Sequence, residues 1–321
     1  MNLLEVRNLK INFWTEQGTF SAVDSITFTL RKGEILALIG ESGCGKSITA
    51  LSIMNLLPYA AETDSASSIR FNDRDLLKCT PREMEKIRGK EIGMVFQEPM
   101  TSLNPVLTIG KQINEIFETH YQLKPQEIKE KTFKILKKVQ LPDPESVYSM
   151  YPYQLSGGMR QRVVIGMAIA ANPPLLIADE PTTALDVTIQ AEIIKLFESL
   201  NQQDDRAMIF ISHNLLLVKS FAQRIAIMYL GEIVEQASTE EIFKHPKHPY
   251  TKGLLQAIPV MGKEEELKEI SGSVPPISEI PRKYCRFYDR CPYRMDRCLE
   301  AHPDFYGPKE HPVRCYLYEK D

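Results

Sequence analysis

The chain has 321 residues and a formal net charge of −3, with 43% hydrophobic and 25% charged residues. That length suits one large α/β domain with an appendage, since single cores rarely grow past ~250–300 residues. The composition is that of an ordinary globular protein, and the slight acidic excess argues against a general nucleic-acid binder, which carries a basic one.

The first ten residues lack a basic start followed by an apolar run, so no secretory signal is expected. The most apolar stretch, 163–178, is broken by Asn172, Pro173 and Pro174. A membrane-spanning helix needs ~20 apolar residues. The sequence therefore predicts a soluble chain that meets any membrane through partners. Residues 3–39 alternate short β-rich runs with turns. Within them, residues 26–30 alternate Ile, Phe and Leu with Thr, and Arg31, Lys32 and Gly33 form a turn. The run 34–39, EILALI, has the continuous apolar character of a buried central strand. A glycine-rich loop follows, then an apolar helix over 46–57 that ends before Pro58.

The loop Gly40, Glu41, Ser42, Gly43, Cys44, Gly45, Lys46, Ser47 fits G-x-x-x-x-G-K-[ST]. Its glycines let backbone N–H groups turn toward an anion. Lys46 offers a mobile cation to β- and γ-phosphate oxygens, and Ser47 a hydroxyl to Mg²⁺. Ile48 lies in the first turn of the helix, whose positive end faces the phosphates. An ordinary glycine turn is the plainer alternative. The position between a buried strand and a helix is what phosphate binding requires. Cys44 is a small residue in a variable position, with no catalytic role expected but open to alkylating agents.

Between about 75 and 154, two charged helical stretches, 81–88 and 126–139, flank a short strand at 92–96 and a loop rich in Pro and Asn. Residues 101–154 read as a mostly helical insertion. From 156 the pattern becomes helix 156–171, strand 175–179, helix 187–200, strand 207–211, helix 214–220 and strand 224–228. Such alternation predicts a mainly parallel sheet covered by helices. Strand 175–179 ends in Asp179 and Glu180. Asp179 suits Mg²⁺ or its water shell. Glu180 suits a general base facing an attacking water. Alone this is a weak signal, because many strands end in solvated acids. In Leu155-Ser-Gly-Gly-Met-Arg-Gln-Arg162, Ser156 is a good N-cap, and Gly157 and Gly158 allow close backbone approach to an anion at a helix start.

Residues 1–258 thus form one nucleotide-binding domain, 259–284 a linker containing Pro275, Pro276 and Pro281, and 285–321 a cysteine-rich module. Cys285, Cys291, Cys298 and Cys315 are spaced C-x5-C-x6-C-x16-C. Without an export signal, disulfides are a poor reading and a metal site a better one. Four thiolates bind zinc or an iron–sulfur cluster. The absence of C-x2-4-C pairs and the wide gaps favour the cluster; zinc and four free thiols are the alternatives. His302 and His311 would ligate only if a cysteine did not. The distance in sequence from Lys46 and Glu180 predicts a structural or regulatory tail with no part in hydrolysis.

LSGGMRQR resembles the signature of ABC ATPases, and the family's other motifs follow in order. Gln97 matches the Q-loop, Ala184-Leu185-Asp186 the D-loop and His213 the switch histidine. Phe13 stands where the family places an aromatic residue against adenine, with Trp14 the neighbouring candidate. One departure is His213-Asn214, where the family usually has His-Asp. The resemblance implies an α/β fold: a P-loop ABC ATPase core with a helical subdomain, an N-terminal antiparallel β subdomain and the C-terminal cysteine-rich module. It also implies two such domains sandwiching two ATP molecules, each site joining the Walker A loop of one to Ser156, Gly157 and Gly158 of the other. Gln97 would link Mg²⁺ or water to the helical insertion, and His213 would contact the γ-phosphate.

Residues 97–105, 178–190 and 248–251, with Arg290-Cys291-Pro292, resemble the oligopeptide/dipeptide importer branch, and its D-type ATPase more closely than the F-type. That branch implies an ATP-hydrolysing motor with ATP, Mg²⁺ and a [4Fe–4S] cluster on the four cysteines. Tyr284 departs from the branch's usual glycine. The implied partners are an F-type companion ATPase, two integral membrane permease subunits and an external solute-binding protein, with no nucleic acid. The implied place is the cytoplasmic face of the inner membrane. Related branches carry nickel or other small solutes. Soluble non-transport ABC proteins carry long coiled-coil insertions or tandem cassettes, and neither is visible here.

Overall fold

A computed structural model describes residues 2–16, 18–98, 102–183, 185–258 and 270–319. The chain packs into two compact units. One comprises Leu30–Glu34 and Lys78–Ile211; the other comprises Asn2–Thr29, Ile35–Leu77 and Ser212–Asp321. The described C-terminal residues share a unit with the N-terminal strands.

Strands β1 (Asn2–Thr15), β2 (Gly18–Arg31) and β3 (Ile35–Ile39) precede helix α1 (Lys46–Ile53). Next come β4 (Ala61–Thr63), β5 (Ser68–Phe71), β6 (Arg74–Asp75), α2 (Pro81–Ile87) and β7 (Ile92–Val95). The insertion holds α3 (Ile109–His120), α4 (Pro125–Lys138) and α5 (Pro144–Ser149). Then follow α6 (Gly157–Ile169), β8 (Leu175–Asp179), α7 (Val187–Asp204) and β9 (Ala207–Ser212). The remainder is α8 (Leu215–Val218), β10 (Arg224–Tyr229), β11 (Glu232–Ser238), α9 (Thr239–Lys244), α10 (Pro249–Gln256) and α11 (Arg297–Glu300).

In the first unit, β7, β8 and β9 lie side by side and parallel, Ile92 opposite Leu175 and Leu175 opposite Ala207. Every residue of these strands is buried, as helix-covered parallel strands require. In the insertion, Thr108 caps α3, which buries Ile109, Ile113 and Phe117 along one stripe. Thr132 Oγ1 of α4 donates to Asn114 Oδ1 of α3 at 2.7 Å, which satisfies a buried hydroxyl. Position 101, the expected start of the insertion, lies outside the described residues.

In the second unit, β3 runs parallel to β10, which pairs antiparallel with β11. Separately, β1 pairs antiparallel with β4 and β5, and β5 with β6. The sequence reading expects short strands here, yet β1 and β2 have 14 residues each. In β1, Leu4 and Val6 are buried, then Leu9 and Ile11; the alternation slips by one at Asn8, whose φ is 49°. One residue in the left-handed region lets a strand continue after its apolar period breaks. Helix α1 stops at Ile53, short of 57, because Asn55 takes φ 50°. Conversely, α7 runs past 200 to Asp204 and ends on Asp205 at φ 48°.

The C-terminal segment is fixed to its own unit by ion pairs and hydrogen bonds. Arg286 pairs with Asp24 and with Glu232, the latter at 3.3 Å. His302 meets Glu232 at 2.9 Å and His311 meets Glu235 at 2.7 Å. Arg314 N–H also donates to the Val234 carbonyl at 2.8 Å. Residues 259–269 of the expected linker lie outside the described residues. Among the described residues, no helix is long and apolar enough to cross a membrane.

Candidate functional site

Residues 40–45 leave buried β3 and enter α1. Gly45, the N-cap of α1, has φ 102°, and a Cβ there would lie 2.7 Å from the Ala22 carbonyl oxygen. At Gly40 a Cβ would lie 2.2 Å from the Met228 carbonyl oxygen, so both positions require glycine. Lys46 Nζ donates to the carbonyls of Gly40 and Glu41 at 2.9 and 3.0 Å. Ser42 and Gly43 are exposed; Ser47 and Ile48 are half-buried in the first turn of α1. Cys44 corrects the expectation of an alkylation site. It is buried, and that burial pushes its thiol pKa up although Lys46 lies nearby. A buried, protonated thiol is a poor nucleophile.

In the other unit, Asp179 is buried at the end of β8. Glu180 follows with φ 44°, and its N–H donates to the Ile211 carbonyl at 3.1 Å. Its carboxylate accepts from Thr183 Oγ1 at 3.0 Å and from Gln97 Nε2 at 3.5 Å. The two residues read from sequence as base and Q-loop glutamine thus converge. Thr183 has no sequence signal beyond its place three residues after Glu180, yet its hydroxyl donates to that carboxylate.

Ser156 Oγ accepts from Met159 N–H at 3.3 Å, so it caps α6 as its residue type suggests. A Cβ at Gly158 would meet Ile189 Cγ2 of α7 at 2.9 Å, whereas one at Gly157 would meet nothing within 4 Å. Asp186 caps α7, its Oδ1 accepting from Ile189 N–H at 2.9 Å. Ala184 of the D-loop, and residues 99–101 of the stretch after Gln97, lie outside the described residues. His213 is exposed just after β9. Asn214 caps α8, its Oδ1 accepting from Leu216 and Leu217 N–H at 3.0 and 3.2 Å. Asparagine and aspartate cap helices about equally well, which gives the Asn214 departure a physical basis. Phe13 is half-buried opposite Ala61, and Trp14 beside it is 62% exposed.

Cys285, Cys291, Cys298 and Cys315 line one cavity, together with His248 and Phe287. All four are unbridged, and Cys285 N–H donates to the Cys298 carbonyl at 2.9 Å. Burial pushes the Cys285 thiol up to about 12 and Cys315 up to about 11, the neighbouring cysteines adding to both shifts. Among the described residues, no three His, Cys, Asp or Glu side chains are grouped to hold a metal ion. His302 and His311 are engaged by Glu232 and Glu235 and do not line this cavity.

The ABC transporter family profile matches residues 23–183, and the profile for the oligopeptide/dipeptide transporter C-terminal region matches residues 234–298. The chain is 47% identical over 321 residues to the oligopeptide transport ATP-binding protein AppD of Bacillus subtilis (strain 168), covering 99% of this chain and 98% of that protein. The chain belongs to the ATP-binding subunits of oligopeptide/dipeptide ABC transporters. It is also 44% identical over 304 residues to the dipeptide transport ATP-binding protein DppD of Escherichia coli (strain K12), covering 94% and 92%. A dimeric solved structure, the bacterial ABC transporter cassette MJ0796, matches with TM-score 0.66 and 26% identity over 74% of this chain and 98% of that one. The fold is that of the ABC ATPase cassette, and this ABC ATPase works with ATP and Mg²⁺.

Proposed function

We propose that this chain is the motor that couples ATP binding and hydrolysis to peptide uptake through membrane subunits. The observation that carries this reading is Glu180, held in the left-handed region beside buried Asp179 with Gln97 on its carboxylate. Lys46 and the loop N–H groups of Gly40, Ser42, Gly43, Cys44 and Gly45 hold the phosphates, with Ser47 and Ile48 at the helix start. Ser47 and Gln97 would hold Mg²⁺, with Asp179 supporting them, and the ion, when bound, would neutralise phosphate charge. Water adds to the γ-phosphorus as the bond to the bridging oxygen breaks, giving ADP and phosphate. Glu180 accepts the water's proton, and His213 hydrogen-bonds the γ-phosphate. Phe13 stacks on adenine. Ser156, Gly157, Gly158 and Asp186 serve the nucleotide of a second ATPase subunit, of F-type.

Two permease subunits and an external solute-binding protein complete the machine, and this chain sits on the cytoplasmic face of the membrane. Purifying the tagged chain from membranes of the producing cell tests this. Two membrane proteins and a second ATPase should come with it, and Glu180→Gln should stop uptake of a labelled oligopeptide. A chain that purifies alone, in cells whose uptake is indifferent to Glu180→Gln, would refute the proposal.

The four cysteines fit an iron–sulfur cluster better than a single zinc ion. All four line one cavity, and their wide sequence spacing without C-x2-4-C pairs suits a cluster, whose corners are more widely spaced than the ligands of one ion. Cys285, Cys291, Cys298 and Cys315 would hold it. Protein purified without oxygen should be brown, with about four iron and four sulfide per chain. A colourless zinc protein would overturn this assignment.

A further inference from the structure

Glu41 is the second residue of the phosphate loop and the only one there carrying a negative charge. Its side chain does not reach solvent freely. Arg290 donates to both carboxylate oxygens, at 2.8 and 3.0 Å, in the two-pronged geometry that makes such pairs strong. The Arg290 side chain is 7% exposed and that of Glu41 27%, so this is no solvated surface pair of the kind worth little. Arg290 is fixed in turn, its Nε donating to the Ser271 carbonyl at 3.1 Å and its Nη1 to Tyr229 Oη at 3.4 Å. Glu41 N–H donates to Tyr250 Oη at 3.0 Å, and its carbonyl accepts from Lys46 Nζ at 3.0 Å. One loop residue thus joins Lys46 to a side chain 249 residues away in sequence, immediately before Cys291.

We propose that Arg290 is a positioning residue of the nucleotide site: it neutralises Glu41 and fixes the phosphate loop from the C-terminal segment. The inference rests on reading residues 40–47 as the phosphate loop. An uncompensated carboxylate in that loop would repel a triphosphate, and a loop held by one fewer contact would present its N–H groups less uniformly. Arg290 acts against both effects through a single pair. The guanidinium reaching Glu41 belongs to the residue next to a cysteine of the cavity, which agrees with a structural or regulatory role for the tail.

The test is equilibrium titration of the full-length chain with a fluorescent ATP analogue. Arg290→Ala should weaken binding by about 10-fold, within the range for coupled charged neighbours. Glu41→Gln removes the charge while its amide oxygen can still accept from Arg290 and keep the tether, so it should bind at least as tightly as wild type. The double variant should bind within about 3-fold of Glu41→Gln alone, because the charge that Arg290 cancels is gone. Arg290→Lys should recover part of the loss. If Arg290 were only a fastening for the tail, Glu41→Gln would give no rescue, and that result would overturn the inference. Should Arg290→Ala not fold, Glu41→Gln decides alone: a 10-fold loss of affinity contradicts the proposal, and equal or tighter binding supports it. Lys46→Ala serves as the control. If it leaves binding unchanged, the phosphate-loop reading itself is wrong and the inference goes with it. If it weakens binding while Arg290→Ala does not, only the role of Arg290 is overturned.

Discussion

At Glu180 the backbone takes φ 44°, a region that costs a residue bearing a Cβ of order 1–3 kcal/mol. The N–H bond to Ile211 and the contacts from Thr183 and Gln97 hold it there. Strain retained at a carboxylate that follows a buried strand is consistent with selection for direction, since fold stability alone would favour glycine. Glu180→Gln, made with the matching change in the companion subunit, should lower ATP turnover ~10²–10⁴-fold and leave ATP binding intact. Steady-state turnover and nucleotide titration of the assembled transporter check this, and near-normal turnover would remove Glu180 as the base. Cys44 gives an independent check on the loop. Buried, with its thiol pKa raised, it should resist maleimide in the native chain and react after denaturation, as mass spectrometry of its peptide would show. Equal labelling in both states would mean the loop is not packed as described. Sequence alone indicated the small side chain at position 44 but not its burial, which arises from packing inside the loop. Asn214 was legible only as a departure; its capping bonds explain it.

Among the elements, the buried strands were the most legible. The apolar runs at 175–178, ending in Asp179, and at 207–211 became β8 and β9, the second longer by Ser212. Helix α3 was missed as a separate element, because proline and asparagine around 104–105 read as loop. The signal lay one turn later, in Thr108 as cap and Ile109, Ile113 and Phe117 at helical spacing. Neither β11 nor α10 was foreseen, and both matter, because they hold the tail. Glu235 of β11 is fully buried and accepts from Lys247 N–H and His248 N–H, each at 2.8 Å, and from His311. Burial acts to raise its pKa, but the hydrogen bonds from His311 and the two N–H groups outweigh it, leaving the pKa below 4.5. A carboxylate depressed on folding stabilises above its unfolded pKa, and that stability is lost as pH falls through the folded value. Glu235→Gln should therefore melt below wild type at pH 7, and the gap should close as pH falls beneath about 4.5. Thermal melts from pH 7 down to pH 3 measure it. A gap that widens with acid would show that Glu235 is not the group responsible.

For the whole molecule, sequence distance was the poorest guide. Nothing in the sequence signals that Arg290 and Glu41, 249 residues apart, meet. The same lesson bears on assembly. Ser156 and Gly157 are exposed at the start of α6, and among the described residues beyond its own helix turn no atom lies within 4 Å of where a Gly157 Cβ would stand. Gly158, by contrast, is glycine because Ile189 fills the space a Cβ would need. Packing within the chain therefore accounts for Gly158 but leaves Gly157 without an internal reason. An external group that approaches the backbone closely supplies one, and a capped helix start with free N–H groups suits an anion. The expected outcome is that Ser156 and Gly157 face the nucleotide held by the companion ATPase. A cysteine placed at exposed Gln154, with another in the companion's phosphate loop, should crosslink through a short bismaleimide. ATP should increase the yield, and Glu180→Gln should increase it further by holding the closed state. A yield indifferent to ATP, or crosslinks confined to single chains, would mean that the α6 start serves its own fold and not a neighbour's nucleotide.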